Sequence, residues 1–309
     1  MSTILQRDVN FLWDNVQLAG TLYLPASPPP HPAVLMLQGS GPADRDSGGY
    51  FPPIRDAFLS RGIATYSFDK PGIGGSSGDW RRYALAERND QALAAVALLR
   101  GQESIDPRRV GIWGQSQGGW LVQMIAARLP DLAFAIANSG PGIPPYEQNH
   151  YGIEHTMRAE GKPEGQIERA VAWIDALDAA AARGDDYAAV EAALLGPARG
   201  EPWGEYFTVD DEEDWALLCR FAAERYEPAE ALAQVRCPFL ALFGELDPLL
   251  PALESVAIYG KALREAGNRD ATIVIFPQGN HRIRVAETGE FATGYLDLLA
   301  DWTAKRVAT

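Results

Sequence analysis

Gly114-Gln115-Ser116-Gln117-Gly118 joins two segments of different periodicity. Before it, Arg109-Val110-Gly111-Ile112-Trp113 has the short apolar run of a buried strand. After it, Gly119 to Leu129 carries apolar residues at helical spacing. A serine on a tight strand-to-helix turn has its hydroxyl lifted off the sheet and exposed. Glycines two positions to either side leave room where a side chain would strike the neighbouring strand or helix. Ser116 is therefore the candidate nucleophile. The competing reading is an ordinary turn whose serine caps the helix.

Moving outward, strands and helices alternate. Ala33 to Leu37 is a continuous apolar strand, Phe51 to Arg61 a helix, and Ile63 to Phe68 a strand. Leu85 to Arg100 is an Ala/Leu-rich helix, and Leu132 to Ala137 another buried strand. Apolar strands separated by helices imply a parallel sheet covered on both faces. Ahead of them, Val9 to Trp13 and Val16 to Leu24, joined at Asp14-Asn15, predict an antiparallel hairpin. From Pro141 to Gln234 strand-like runs are missing, and Ile167–Ala182, Tyr187–Leu195 and Asp211–Glu227 predict helices. The acidic block Asp210 to Asp214 suits a helix N-terminus, where free N–H groups favour negative charge. Alternation resumes with strands Phe239–Phe243 and Thr272–Phe276 and helices Pro251–Ala266 and Phe291–Arg306. The expected organisation is an α/β core over residues 1–140 and 236–309. A helical insertion, residues 141–235, would roof the carboxyl ends of the strands, where open α/β sheets bind ligands.

The chain has 309 residues and a formal net charge of −14. That charge disfavours nucleic acid and anionic membrane as partners, both being polyanions. The start, Met1 to Asp8, lacks the basic-then-apolar order of a secretory signal, and no apolar run is long enough to span a membrane. The expected location is the cytoplasm. With two cysteines, Cys219 and Cys237, a disulfide framework is excluded, and metal-ligand spacings such as C-x-x-C or H-E-x-x-H are absent. No metal or cofactor is expected.

A serine hydroxyl needs a base to take its proton, and the base needs an orienting carboxylate. Of four histidines, His281 in Gly279-Asn280-His281 directly follows the last predicted strand, on the same sheet edge as Ser116. His31 lies among prolines, and His150 and His155 open the helical insertion. The acid is sought between serine and histidine in chain order. Asp247, in Gly244-Glu245-Leu246-Asp247-Pro248, fits, with Glu245 as the rival. The oxygen of a tetrahedral intermediate needs two N–H donors. Gln117 supplies one from its backbone, and the loop Gln38-Gly39-Ser40-Gly41-Pro42 supplies the other, through Ser40 or alternatively Gly41. Candidate substrate contacts are Gln38, Glu147, Gln148, Tyr151 and Trp203.

With strand, elbow, acid and histidine in this order, the chain resembles the α/β-hydrolase superfamily over about residues 9–140 and 236–306, with the insertion at that family's cap position. The resemblance implies the α/β-hydrolase fold, a mostly parallel doubly wound sheet with an inserted helical cap, and a triad of Ser116, Asp247 and His281. Gln38-Gly39-Ser40-Gly41 resembles the family's H-G-x-G oxyanion loop with glutamine in place of histidine, which bears on how the loop is anchored. Asp69-Lys70-Pro71-Gly72-Ile73-Gly74-Gly75-Ser76-Ser77-Gly78 is similar to its D-x-x-G-x-G-x-S turn, whose tandem serines read as turn formers. Leu18 to Pro25 and Gly39 to Asp46 resemble a branch of capped serine esterases grouped with dienelactone hydrolases and prolyl-oligopeptidase-like enzymes. Members of that branch include esterases of bulky lactones such as macrolides. The implied activity is hydrolysis of a small-molecule carboxylic ester through an acyl-enzyme on Ser116. A peptidase or amidase, a C–C bond hydrolase, and a non-catalytic binding protein on this fold are the alternatives.

Overall fold

The computed structural model describes residues 5–207 and 209–308. The first four residues of the Met1 to Asp8 segment lie outside them. In chain order the strands are β1 (Leu5–Asp8), β2 (Phe11–Trp13), β3 (Val16–Leu18), β4 (Gly20–Leu24) and β5 (His31–Leu37), followed by helix α1 (Phe51–Ser60). Then come β6 (Ala64–Phe68), α2 (Leu85–Arg100), β7 (Ile105–Gln115), α3 (Gln117–Arg128) and β8 (Ala135–Asn138). Helices α4 (Pro145–Ala159), α5 (Glu164–Arg183), α6 (Tyr187–Val190), α7 (Gly196–Ala198), α8 (Glu212–Glu224) and α9 (Pro228–Leu232) follow without an intervening strand among the described residues. The chain closes with β9 (Phe239–Gly244), α10 (Ala252–Glu265), β10 (Ala271–Phe276) and α11 (Tyr295–Arg306).

Eight strands form one sheet in the order β1-β4-β6-β5-β7-β8-β9-β10. From β6 to β10 neighbours run parallel, while β1 and β4 add an antiparallel edge. Two-residue alternation sorts each strand onto two cores. In β5, Ala33, Leu35 and Leu37 join a core with α2, α3 and α10, whereas Val34 and Met36 face α1 and α11. The sheet is thus buried on both faces, as its uninterrupted apolar runs require.

The expected first hairpin splits at Ala19. Phe11–Trp13 and Val16–Leu18 pair as a separate two-stranded sheet, with Asp14 and Asn15 at positive φ in the turn. Gly20–Leu24 instead enters the main sheet. Gly20 permits this because Tyr66 lies across its Cα, where a Cβ would strike the ring, and the Tyr66 hydroxyl donates to the Val9 carbonyl at 2.7 Å. Strand β1, exposed and charged, gave no periodic signal and is held by backbone pairing to β4. Helix α11 begins at Tyr295, later than Phe291, because Gly294 sits at φ 80°.

The stretch between β8 and β9 has two apolar clusters of its own. One gathers Leu177, Val190, Leu195 and Trp215, the other Met157, Ile167, Ala170, Ala198 and Trp203. Asp211 caps α8 as its composition predicts, accepting from the N–H groups of Glu213 (3.0 Å) and Asp214 (2.9 Å). Among the described residues no helix is long and apolar enough to cross a membrane, and both cysteines are free.

Candidate active site

Strand β7 runs to Gln115 and α3 starts at Gln117, so Ser116 alone makes the turn, at φ 57° and ψ −120°. A non-glycine residue there is strained and is held only where its surroundings dictate it. The Ser116 N–H donates to the Asn138 carbonyl of β8 (2.9 Å), and its own carbonyl accepts from Gly119 N–H (2.7 Å). The flanking glycines are a packing requirement: a Cβ on Gly114 would strike the Gly118 carbonyl, and one on Gly118 would press on the Leu37 and Gln38 carbonyls.

Asp247 and His281 reach the same sheet edge from the ends of β9 and β10. Their loops are laced together, Glu245 N–H donating to Phe276 O (3.0 Å) and Leu246 N–H to Gly279 O (2.8 Å). The Asp247 side chain is fully buried. One oxygen accepts from Leu249 N–H (2.9 Å), and the other lies 2.7 Å from His281 Nδ1. An ionised carboxylate only accepts, so Nδ1 carries hydrogen and Nε2 keeps its lone pair. Glu245, the rival acid, is exposed and accepts from Gln278 N–H (3.1 Å), clamping the loop. Of the other histidines, His31 is buried in β5, His150 pairs with Asp175 at 2.9 Å, and His155 stacks on Tyr151.

Ser116 and His281 line one cavity of about 700 Å³, together with Gly39, Ser40, Ile73 and Arg282. A Cβ on Gly39 would come within 2.8 Å of Gln115 Oε1 and 3.3 Å of Ser116 Cβ, so this loop passes directly beside the elbow. Gln117, the first residue of α3, presents an N–H that no preceding turn can accept. A serine, an imidazole and the backbone of the Gly39-Ser40 loop thus share one cavity wall. Among the described residues no group of His, Cys, Asp or Glu is placed to hold a metal ion.

The five residues expected to contact substrate each have other partners in the structure. None of Gln38, Glu147, Gln148, Tyr151 and Trp203 is among the residues lining the cavity, whose walls come from core loops alone. Gln38 is buried and turns inward, donating to Phe68 O (2.5 Å) and Asp44 O (3.1 Å) as an anchor of its loop. Glu147 points to solvent and accepts from the Tyr146 hydroxyl. Gln148 donates to Leu249 O (2.8 Å), holding a cavity-lining loop from outside. Tyr151 stacks on the His155 ring at 3.6 Å; burial and then the Asp247 charge raise its pKa. Trp203 is buried in the second cluster of the insertion. Aromatic composition marks both pockets and cores, and here the insertion needed its aromatics for its own core.

Several residues around the site support its loops. Asp69 accepts from the N–H and guanidinium of Arg45 and from Gly75 N–H (2.9 Å), fixing the turn that carries Ile73 into the cavity. Burial pushes its carboxyl up, but those bonds outweigh it and hold the pKa below the usual range. The tandem serines do form the turn: Ser76 Oγ accepts from Ala19 N–H and Ser77 Oγ from Gln17 N–H, each at 2.9 Å. Asn138, just before the Ser139 kink, is fixed by the Tyr295 and Tyr50 hydroxyls at 2.8 and 3.3 Å.

Known proteins align with this arrangement. The model of the alpha/beta hydrolase family matches residues 34–293. An uncharacterized 31.7 kDa Escherichia coli protein from the traX-finO intergenic region is 27% identical over 217 residues, covering 67% of this chain and 71% of that one. The 2,6-dihydropseudooxynicotine hydrolase of Paenarthrobacter nicotinovorans is 32% identical over 133 residues, 41% of this chain and 33% of that enzyme. In three dimensions the Pyrococcus furiosus esterase Pf2001 superposes with a TM-score of 0.65 at 14% identity, covering 99% of this chain and 92% of that one. With the family model spanning most of the chain and the sheet order bringing serine, carboxylate and imidazole loops to one edge, the protein is a hydrolase belonging to the alpha/beta hydrolase family.

Proposed function

We propose that the protein is a serine hydrolase that cleaves carboxylic esters of small molecules. The observation that carries this reading is the Asp247–His281 contact of 2.7 Å, its imidazole facing the cavity that Ser116 also lines. His281 Nε2 takes the Ser116 proton as Oγ attacks the ester carbonyl, and Asp247 stabilises the imidazolium that forms. The N–H groups of Gln117 and Ser40 hold the oxyanion. Collapse of the tetrahedral intermediate expels the alcohol, which receives the proton from His281. Water then enters by the same route, with His281 as base, and releases the acid and free Ser116.

A cavity of about 700 Å³ lies in the range that encloses drug-sized ligands. Its walls mix Ile73, Pro42 and Leu249 with Arg282 and loop backbone, which suits an ester of moderate polarity. The helical stretch over residues 141–235 is proposed as a cap that acts on this cavity indirectly, Gln148 steadying the Leu249 loop. The proposed partner is the ester alone, in the cytoplasm, without cofactor.

A fluorophosphonate probe should label the wild type at Ser116, and Ser116→Ala should lose both labelling and ester turnover. Turnover surviving in Ser116→Ala would refute the assignment. A panel of short esters, bulky lactones including macrolides, anilides and a vinylogous diketone should show hydrolysis of the esters. Preference for anilides or the diketone would move the reading to an amidase or a C–C hydrolase.

A further inference from the structure

Lys70 is a buried cation beneath the loop that borders Ser116. Its ammonium donates to two carbonyls, Gly39 O and Gly41 O, the latter at 2.7 Å. No carboxylate among the described residues lies within ion-pair reach of it; its charged neighbour is another buried cation, Arg88. Burial, and then Arg88, push the Lys70 pKa well down. The two carbonyls on its nitrogen oppose that fall, because hydrogen bonds to the ammonium favour the charged form.

The carbonyl that Lys70 grips belongs to the peptide unit whose other end is the Ser40 N–H. Among the described residues the one cis peptide is Pro29-Pro30, so the Gly39-Ser40 unit is trans. In a trans unit C=O and N–H point in opposite directions. Holding Gly39 O down on Lys70 therefore aims the Ser40 N–H away from the core, on the side where Gly39 and Ser40 line the cavity. A cation on the carbonyl oxygen also polarises the amide, strengthening its N–H as a donor. The second bond, to Gly41 O, fixes the loop on the far side of Ser40.

Arg88 makes a parallel arrangement under the other donor. Its guanidinium donates to the Gln117 side-chain Oε1 and to Tyr83 O (2.9 Å), fixing the residue that opens α3.

We infer that Lys70 is a positioning residue of the oxyanion site, aiming and polarising the Ser40 peptide so that its N–H meets charge that appears only as the tetrahedral intermediate forms. This rests on the serine-hydrolase reading above. It also accounts for glutamine at position 38: the loop is anchored by Gln38 on Phe68 O and by Lys70 on the two glycine carbonyls.

The test compares wild type, Lys70→Met and Lys70→Gln with a p-nitrophenyl ester and a trifluoromethyl ketone, which adds Ser116 reversibly to give a tetrahedral adduct. In Lys70→Met kcat should fall on the order of 10- to 100-fold, less than the 10²–10³ typical of deleting a donor outright, while KM stays within about 3-fold, as for a transition-state interaction. Ketone affinity should fall in step with kcat/KM, and the infrared carbonyl band of a slowly deacylating acyl-enzyme should shift to higher frequency. Lys70→Gln, which keeps a neutral donor, should lie between, and serves alone if the methionine variant does not fold. Wild-type kcat in a folded variant overturns the inference. So does a lower kcat with unchanged ketone affinity and an unchanged carbonyl band. An unlabelled Ser116 in the wild-type protein would instead bring down the underlying serine-hydrolase reading.

Discussion

Ser116 is the only residue between β7 and α3, and its positive φ is tolerated because the residues around it are small. Gly114 and Gly118 meet backbone to backbone, and Gly39 passes close to the Ser116 Cβ. The same scale governs the histidine. Asp247 spends one oxygen on Leu249 N–H and the other on His281 Nδ1, so the imidazole has one tautomer available while the acid is ionised. Asp247→Asn would present an amide N–H to Nδ1 or leave it unpaired, favouring the wrong tautomer. The expected result is a loss of about 10⁴ in kcat with the fold intact, by analogy with the same change in a known serine triad. Steady-state kinetics on a p-nitrophenyl ester, with circular dichroism as the check on folding, measures it. Near-normal kcat would mean that Asp247 does not set the imidazole's protonation.

Helices α4 to α9 show how far an element can be understood from its pattern. Their existence follows from composition, and Asp211 caps α8 as an acidic block at a helix start should. Which face they bury does not follow. Trp203 packs against Trp173 and Phe207, with ring centroids 5.6 Å away in each case. It therefore belongs to the insertion's core and stands apart from the cavity. Trp203→Ala should destabilise the insertion by about 3–5 kcal/mol, the usual cost of deleting a buried tryptophan. At a temperature where the variant stays folded, KM for small esters should remain within about 3-fold. Thermal unfolding and kinetics on one preparation separate the two, and a large selective rise in KM would return Trp203 to the pocket.

For the molecule as a whole, the question is how the insertion sits on the sheet domain. Glu224, at the end of α8, accepts from the N–H groups of Leu85 and Ala86, both at 3.0 Å, and so caps a core helix whose own N-cap residue, Ala84, has no acceptor. Burial raises the Glu224 pKa, and the two N–H bonds oppose that rise. Arg81 pairs with Asp211 at 2.9 Å and also with Glu213, while the Tyr226 hydroxyl donates to Gln123 of α3 at 2.7 Å. Glu224→Ala should cost about 1–2 kcal/mol, as loss of a cap does. It should also speed hydrogen exchange at Leu85 and Ala86 and increase proteolytic cutting within residues 141–235. Unchanged protection at those two amides would show that the cap is supplied by other groups.

The sequence by itself determined the chemistry-bearing loops and their order. Each such loop follows directly on an apolar strand, and strand, turn and helix signals are local properties of a few consecutive residues. Ser116, Asp247 and His281 could therefore be put forward as candidates from position alone. The tertiary structure decided what these loops rest on. Lys70 beneath Gly39, Gln38 turned onto Phe68, Gly20 yielding its place to Tyr66, and the insertion's aromatics facing one another are all choices of distant partner. Periodicity marks a face as buried without saying against what, because the partner is set by how layers pack, and that packing joins residues far apart along the chain.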